Sequence, residues 1–233
     1  YGHVGDLSKR DGRLYPNKAP GVSYMGAPVY AALRWWKGGR EHVSNDTLLW
    51  WLRFLVCGLP TALVAPRLRR AAARFSGDTR AADAAIVVWA LGTLAYPYGL
   101  LFFSHGPSAL LLVSAWLVVS HGEHDPGEAR RALSGALAAM AVCTEYTTAP
   151  VAVMVAAYGA WRSNRPVFSL FSVALGALPF AAALGAYHQL AWGHPLKTGY
   201  AFVENKTFES WHAQGFMGVT TPSPIALANH LFH

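Results

Sequence analysis

The chain has 233 residues, 53% of them hydrophobic and only 13% charged, with a formal net charge of +7 and a mean hydropathy of +0.24. Ordinary soluble domains carry roughly a quarter charged residues, so this composition excludes an ordinary globular protein and points to apolar membrane spans diluted by long polar loops. The cations punctuate apolar segments instead of forming one soluble basic face, which argues against a nucleic-acid partner and for a topology signal.

In chain order, the first notable stretch is Asp11-Gly12-Arg13-Leu14-Tyr15-Pro16-Asn17-Lys18-Ala19-Pro20-Gly21, read as a loop that gathers acid, base and aromatic groups beside a membrane. Residues 20–36 read as a helix lying at the membrane surface, with Trp35 and Trp36 suited to an interface belt. A helix needs roughly 20 apolar residues to cross about 30 Å of hydrocarbon. By that measure residues 46–66, 82–103, 106–120 and 167–188 are candidate spans. The stretch 132–161 is too long for one span, and Pro150 disfavours helix at the residue before it. Glu145-Tyr146-Thr147-Thr148-Ala149-Pro150 therefore reads as a polar tip where two short helices meet. The expected fold is an all-α membrane protein, a polytopic bundle of about six transmembrane helices, two of them short. Its expected divisions are an outer loop with a juxtamembrane helix (1–45), the bundle (46–188) and a second outer loop (189–233).

Charge sets the expected orientation. Arg67, Arg69, Arg70, Arg74 and Arg80 fill the first connection, Arg130 and Arg131 the next alternate one, and Arg162 and Arg165 the one after. By the positive-inside rule these connections face the cytoplasm, with residues 1–45, the turns at His105 and Thr147-Thr148, and residues 189–233 outside. Tyr1 then lies in an outer loop already, so an earlier helix is expected upstream, and the abrupt end at Leu231-Phe232-His233 fits a piece of a larger membrane protein. Cys57 and Cys143 fall inside spans and read as small packing residues, not as a disulfide.

Lys9, Arg10, Arg13 and Lys18 make the opening loop basic, while Asp6 and Asp11 supply carboxylates. Two readings are open: a solvated loop touching anionic headgroups, or a site for a lipid phosphate or pyrophosphate with Lys18 as point charge and Arg13 as planar donor. Pro20 favours the second, because it fixes the backbone where the surface helix starts and holds Lys18 near headgroup depth. Arg53 falls about 10 Å below the outer surface at 1.5 Å per residue, either in an ion pair or binding an anion. Glu145, at the polar tip, is either a partner for Arg53 or a loop cation, or else a hydroxyl acceptor, metal ligand or base. His105 and His188 are further polar groups on the outer side, and an outer-turn His more often caps a helix than binds metal. His121-Gly122-Glu123-His124 has a metal-like spacing but no further ligands nearby, so no metal site is assigned and a divalent metal stands only as an alternative cofactor. Asn45-Asp46-Thr47 and Asn205-Lys206-Thr207 match the glycosylation acceptor pattern. No Walker loop, dinucleotide fingerprint or Gly-x-Ser-x-Gly elbow is present, so no soluble nucleotide cofactor is expected.

The order Asp11-Gly12-Arg13-Leu14-Tyr15, Asn17-Lys18-Ala19-Pro20-Gly21 and Pro28-Val29-Tyr30 resembles the first outer loop of polytopic C-type (GT-C) glycosyltransferases of the protein mannosyltransferase and aminoarabinose transferase kind. Tyr96-Pro97-Tyr98 through Phe102-Phe103-Ser104-His105, then Glu145-Tyr146 and Gly199-Tyr200, are similar to later motifs of bacterial members. The resemblance implies sugar transfer from a polyprenyl-phosphate donor in an outward-facing cavity, with Lys18 on the lipid phosphate and Arg53 and Arg13 as further candidates. The family's catalytic acid usually follows the first transmembrane helix, which implies a base upstream of Tyr1. Asp6, Asp11 and Glu145 are the candidates within the chain. Rival readings are a transporter or flippase for an anionic or lipid-linked substrate, and a non-catalytic membrane scaffold presenting the aromatic-rich residues 189–233.

Overall fold

The computed structural model describes residues 7–120, 122, 125–203 and 223–225. Two strands, β1 (Leu7–Arg10) and β2 (Arg13–Pro16), precede a helical series. Its helices are α1 (Gly21–Lys37), α2 (Asn45–Ser76), α3 (Thr79–Gly92), α4 (Ala95–Leu100), α5 (His105–Ser120), α6 (Glu128–Thr144), α7 (Ala149–Trp161) and α8 (Pro166–Trp192). The protein is thus mostly helical, as its composition implies. Of these helices α2 and α8 are long and apolar enough to cross a membrane, whereas α5 is apolar but shorter. Packing groups the described residues into two units, one up to Lys18 together with those from Leu184 onward, the other Ala19–Ala183.

Three expectations are corrected. The opening stretch is not a loop: β1 and β2 pair antiparallel, Arg10 opposite Arg13, around Asp11 (φ 50) and Gly12 (φ 77). Positive φ at both central residues is the hairpin geometry that Asp-Gly favours. The first apolar segment does not stop at residue 66. Ser44 accepts a hydrogen bond from the Thr47 amide (3.2 Å) to start α2, which continues for 32 residues, about 48 Å, so Arg67, Arg69, Arg70 and Arg74 sit on helix and not in a connection. Residues 82–103 form no single helix. Pro97 has no N–H to offer the Thr93 carbonyl and its ring would clash there, and the Thr93 hydroxyl bridges the resulting break, donating to the Trp89 carbonyl (2.6 Å) and accepting from the Ala95 amide (3.1 Å).

Within the larger unit α5 is the central element. It is apolar on all sides, as a helix enclosed by others must be. Leu110 and Leu117 of α5 pack on Val64 and Ala71 of α2, with Trp89 of α3 against them. Ala115 and Val119 pack on Ala138 of α6 and Val155 of α7, and the buried Ser134 hydroxyl donates to the Ala115 carbonyl at 2.9 Å. Leu52, Val56 and Cys57 of α2 receive Met25 and Val29 of α1. The α6 and α8 backbones meet directly: a Cβ on Gly135 would fall on the Val173 carbonyl, and one on Gly176 on the Ala132 carbonyl. Where apolar burial gives little drive between helices, such small-residue contacts and internal polar bonds hold a bundle together. The break within 132–161 falls at Glu145, with the short turn Tyr146–Thr148 leading into α7.

At the opposite end of α6, Arg131 is 1% exposed and paired with Asp125 and with Glu128 (2.7 Å). Glu128 also accepts from Ser172 of α8, and Asp125 from the Asn164 amide (3.3 Å). Arg162 donates to the carbonyls of Ser120 (3.0 Å) and Gly122 (2.7 Å), closing the last turn of α5. The Gly127 amide beside Asp125, with the Asn164 amide and the Arg131 guanidinium, holds its carboxyl below the usual carboxylate range against partial desolvation. A lowered folded-state pKa means that this contribution to stability is complete above the unfolded value of about 3.9 and is lost as pH falls through the folded value. Asp125→Ala leaves the buried guanidinium with Glu128 alone and is expected to cost about 2 kcal/mol, exceeding Arg131→Met, which removes the charge as well. Thermal unfolding in detergent at neutral pH reads the difference, and the Asp125 increment is expected to vanish on acidification.

Candidate functional site

The polar end of the larger unit is built by three local devices. The Glu145 amide bonds to the Ala141 carbonyl (2.8 Å) and closes α6, while Glu145 itself is extended (φ −152, ψ 111). Thr148 then returns to the Glu145 carbonyl through both its amide (3.1 Å) and its hydroxyl (2.7 Å), fixing the turn into α7. Ser104 and His105 stand at the start of α5, where the chain reverses after α4.

These devices bring Glu145, Ser104 and His105 together. The Glu145 side chain is 16% exposed, and its Oε2 accepts from the Ser104 hydroxyl at 2.7 Å. The His105 ring nitrogen Nδ1 lies 3.3 Å from the same oxygen. Thr147 makes a long contact, 3.4 Å, to Oε1. Tyr98 meets the His105 ring edge-on, centroids 5.4 Å apart. His105 and Tyr98 also line a cavity of about 330 Å³ whose other walls include Thr61, Trp89, Ala109 and Val113. The result is a carboxylate held by a hydroxyl and an imidazole, with the imidazole opening onto an apolar chamber. Chemically such a group accepts a proton or a substrate hydroxyl.

Of the residues singled out in the sequence, His105 and Glu145 are thus in contact. Arg53 is not the partner of Glu145: it starts a widened, π-helical stretch of α2 (Arg53–Gly58) and its side chain is exposed. Ser104 and Tyr98 were missed as site residues, although both lie within the quoted motifs. A hydroxyl two residues before Gly106-Pro107 is the signal that marks Ser104. Among the described residues no group of three or more His, Cys, Asp or Glu gathers to hold a metal. His121, Glu123, His124, Asp6 and Asn205-Lys206-Thr207 lie outside the described residues. Asn45-Asp46-Thr47 forms the first turn of α2.

The smaller unit places the basic candidates. Ser8 of β1 donates to the Gly199 carbonyl (2.6 Å), and Trp192 is held between Tyr15 (5.3 Å, edge-on) and Phe202 (5.2 Å, stacked). Asn17 is buried, and Lys18 beside it is exposed with its ammonium 5.6 Å from the centre of the Tyr200 ring. Asn17-Lys18 and Gly199-Tyr200, far apart in the chain, are therefore neighbours. Asp11 pairs with Arg10 (3.3 Å), Arg13 is exposed on β2, and the buried His188 places Nδ1 3.0 Å from the Pro195 carbonyl.

Glu145→Gln keeps an acceptor for Ser104 and is expected to leave the unfolding midpoint close to that of the parent. Glu145→Leu strands the Ser104 hydroxyl and is expected to cost about 1–3 kcal/mol, read from unfolding in detergent. Comparison with family models, with curated proteins and with solved structures gives no match to this chain.

Proposed function

We propose that the chain belongs to a multi-pass membrane glycosyltransferase that transfers a sugar from a polyprenyl-phosphate donor to an acceptor on the outer face. In this reading α2 and α8 span the bilayer, the shorter helices α3 with α4, α5, α6 and α7 complete the bundle, and the arginine-rich ends face the cytoplasm. The observation that carries it is the Glu145 carboxylate, held by Ser104 and His105 beside an apolar cavity. An acceptor hydroxyl attacks the anomeric carbon, the bond from that carbon to the phosphate oxygen breaks, and the polyprenyl phosphate leaves with the electron pair. The hydroxyl proton passes to Glu145. For Lys18, on the smaller unit, the motif resemblance supports a contact with a lipid phosphate, whose negative charge a point charge offsets.

A transporter or flippase is favoured by one feature, the breaks at Thr93 and Glu145, since interrupted helices line substrate paths in transporters. The two readings separate in one assay. Full-length protein in liposomes containing a radiolabelled polyprenyl-phosphate sugar is expected to release free polyprenyl phosphate when acceptor is present. Lys18→Ala and Glu145→Gln are each expected to lower that release by about 100-fold or more while the protein still inserts. Donor that changes leaflet without being cleaved identifies a flippase and removes the transferase reading.

A further inference from the structure

A strongly basic concavity lies away from Glu145, between α2, α5 and α6. Its walls are Arg67, Arg70 and Arg74 of α2 and Arg130 of α6, over a floor of Ser114, Leu117 and Val118 of α5, and it encloses about 360 Å³. The three α2 arginines recur at spacings of three and four, so one helical face carries them all. Like charges so placed repel one another. The neighbouring Arg69 points elsewhere and is met within the protein by Asp83 of α3, Nη2 to Oδ2 at 3.0 Å. None of the described residues lining the groove is acidic. Arg67 spends one donor on the Leu63 carbonyl (2.6 Å) out of the five a guanidinium has, and Arg74 and Arg130 have contacts of their own as well.

We propose that this groove binds the phosphate of an anionic phospholipid, with an acyl chain lying on Leu117 and Val118. Planar guanidinium forks match phosphate oxygens in pairs, and basic pockets between membrane helices take lipid headgroups of this kind. The apolar floor is what favours a lipid over a free ion. The proposal relies on α2 entering a bilayer and not on the sugar-transfer reading.

The test is the unfolding midpoint of the full chain in neutral detergent, titrated with mixed micelles of phosphatidylglycerol or of phosphatidylcholine, and separately with sodium phosphate. Phosphatidylglycerol is expected to raise the midpoint, and phosphatidylcholine and sodium phosphate are not. Arg67→Gln/Arg70→Gln is expected to weaken the apparent affinity for phosphatidylglycerol about tenfold or more. Arg69→Gln/Arg80→Gln, which removes the same charge outside the groove, is expected to leave it unchanged. Ser114→Asp places a carboxylate among the arginines and is expected to abolish the response even if the double variant fails to fold. A parent protein that does not respond, a Ser114→Asp variant that responds like the parent, or an equal shift from phosphatidylcholine overturns the proposal. An equal shift from sodium phosphate overturns the lipid in favour of a soluble anion.

Discussion

A guanidinium that is almost wholly buried must have its charge met at once, and at Arg131 this requirement organises one end of the helical unit. Asp125 and Glu128 meet it, and each reaches a second element, Asp125 the Asn164 amide before α8 and Glu128 the Ser172 hydroxyl on α8. Arg162 ties in the last turn of α5. Four helix ends are thereby fixed by charge-assisted bonds, which are stronger than neutral ones. The crossing at Gly135 and Gly176 lies beyond this clamp, and its backbone-to-backbone approach depends on the two helices being held in register. Among the described residues the far end of α6 carries no comparable clamp. There the chain turns through Glu145, and the polar groups engage one another with a chamber beside them.

Much of this was legible in the sequence. The apolar runs located α2, α5 and α8 and the tip at Glu145, because hydrophobic length and a proline after a polar cluster are local signals. Helix ends were less legible. Arg67 to Arg74 resemble a connection because charge ends an apolar run, yet arginine is a good helix former and an α-helix continues until a residue such as Gly77 ends it. The Asp11-Gly12 hairpin is legible through its turn chemistry, although the charge of the same stretch is the more prominent signal. The break at Thr93 needs the clash of Pro97 four residues on, a signal present in the sequence but competing with a continuous apolar pattern.

The candidate site was legible in its ingredients and not in its pairing. Glu145 and His105 stood out as polar groups in apolar surroundings, but their contact depends on how α5 and α6 pack, which Ser134 and the small residues of α6 decide. Arg53 looked like the natural partner of Glu145 by depth alone. Depth fixes height along the bundle and says nothing about the side of the helix on which a residue sits.

The side is set in α2 by the stretch Arg53–Gly58, where the helix widens by the equivalent of one inserted residue. At 3.6 residues per turn one residue is about 100° of rotation. Everything on α2 after Gly58 is therefore phased differently from what precedes it, and the arginine face meets α5 only with that offset in place. Losing a single residue here would leave hydropathy, length and charge almost untouched. It would let the stretch close into an ordinary α-helix with Arg67, Arg70 and Arg74 still on their groove, whereas the same loss between Gly58 and Arg67 would turn all three away together.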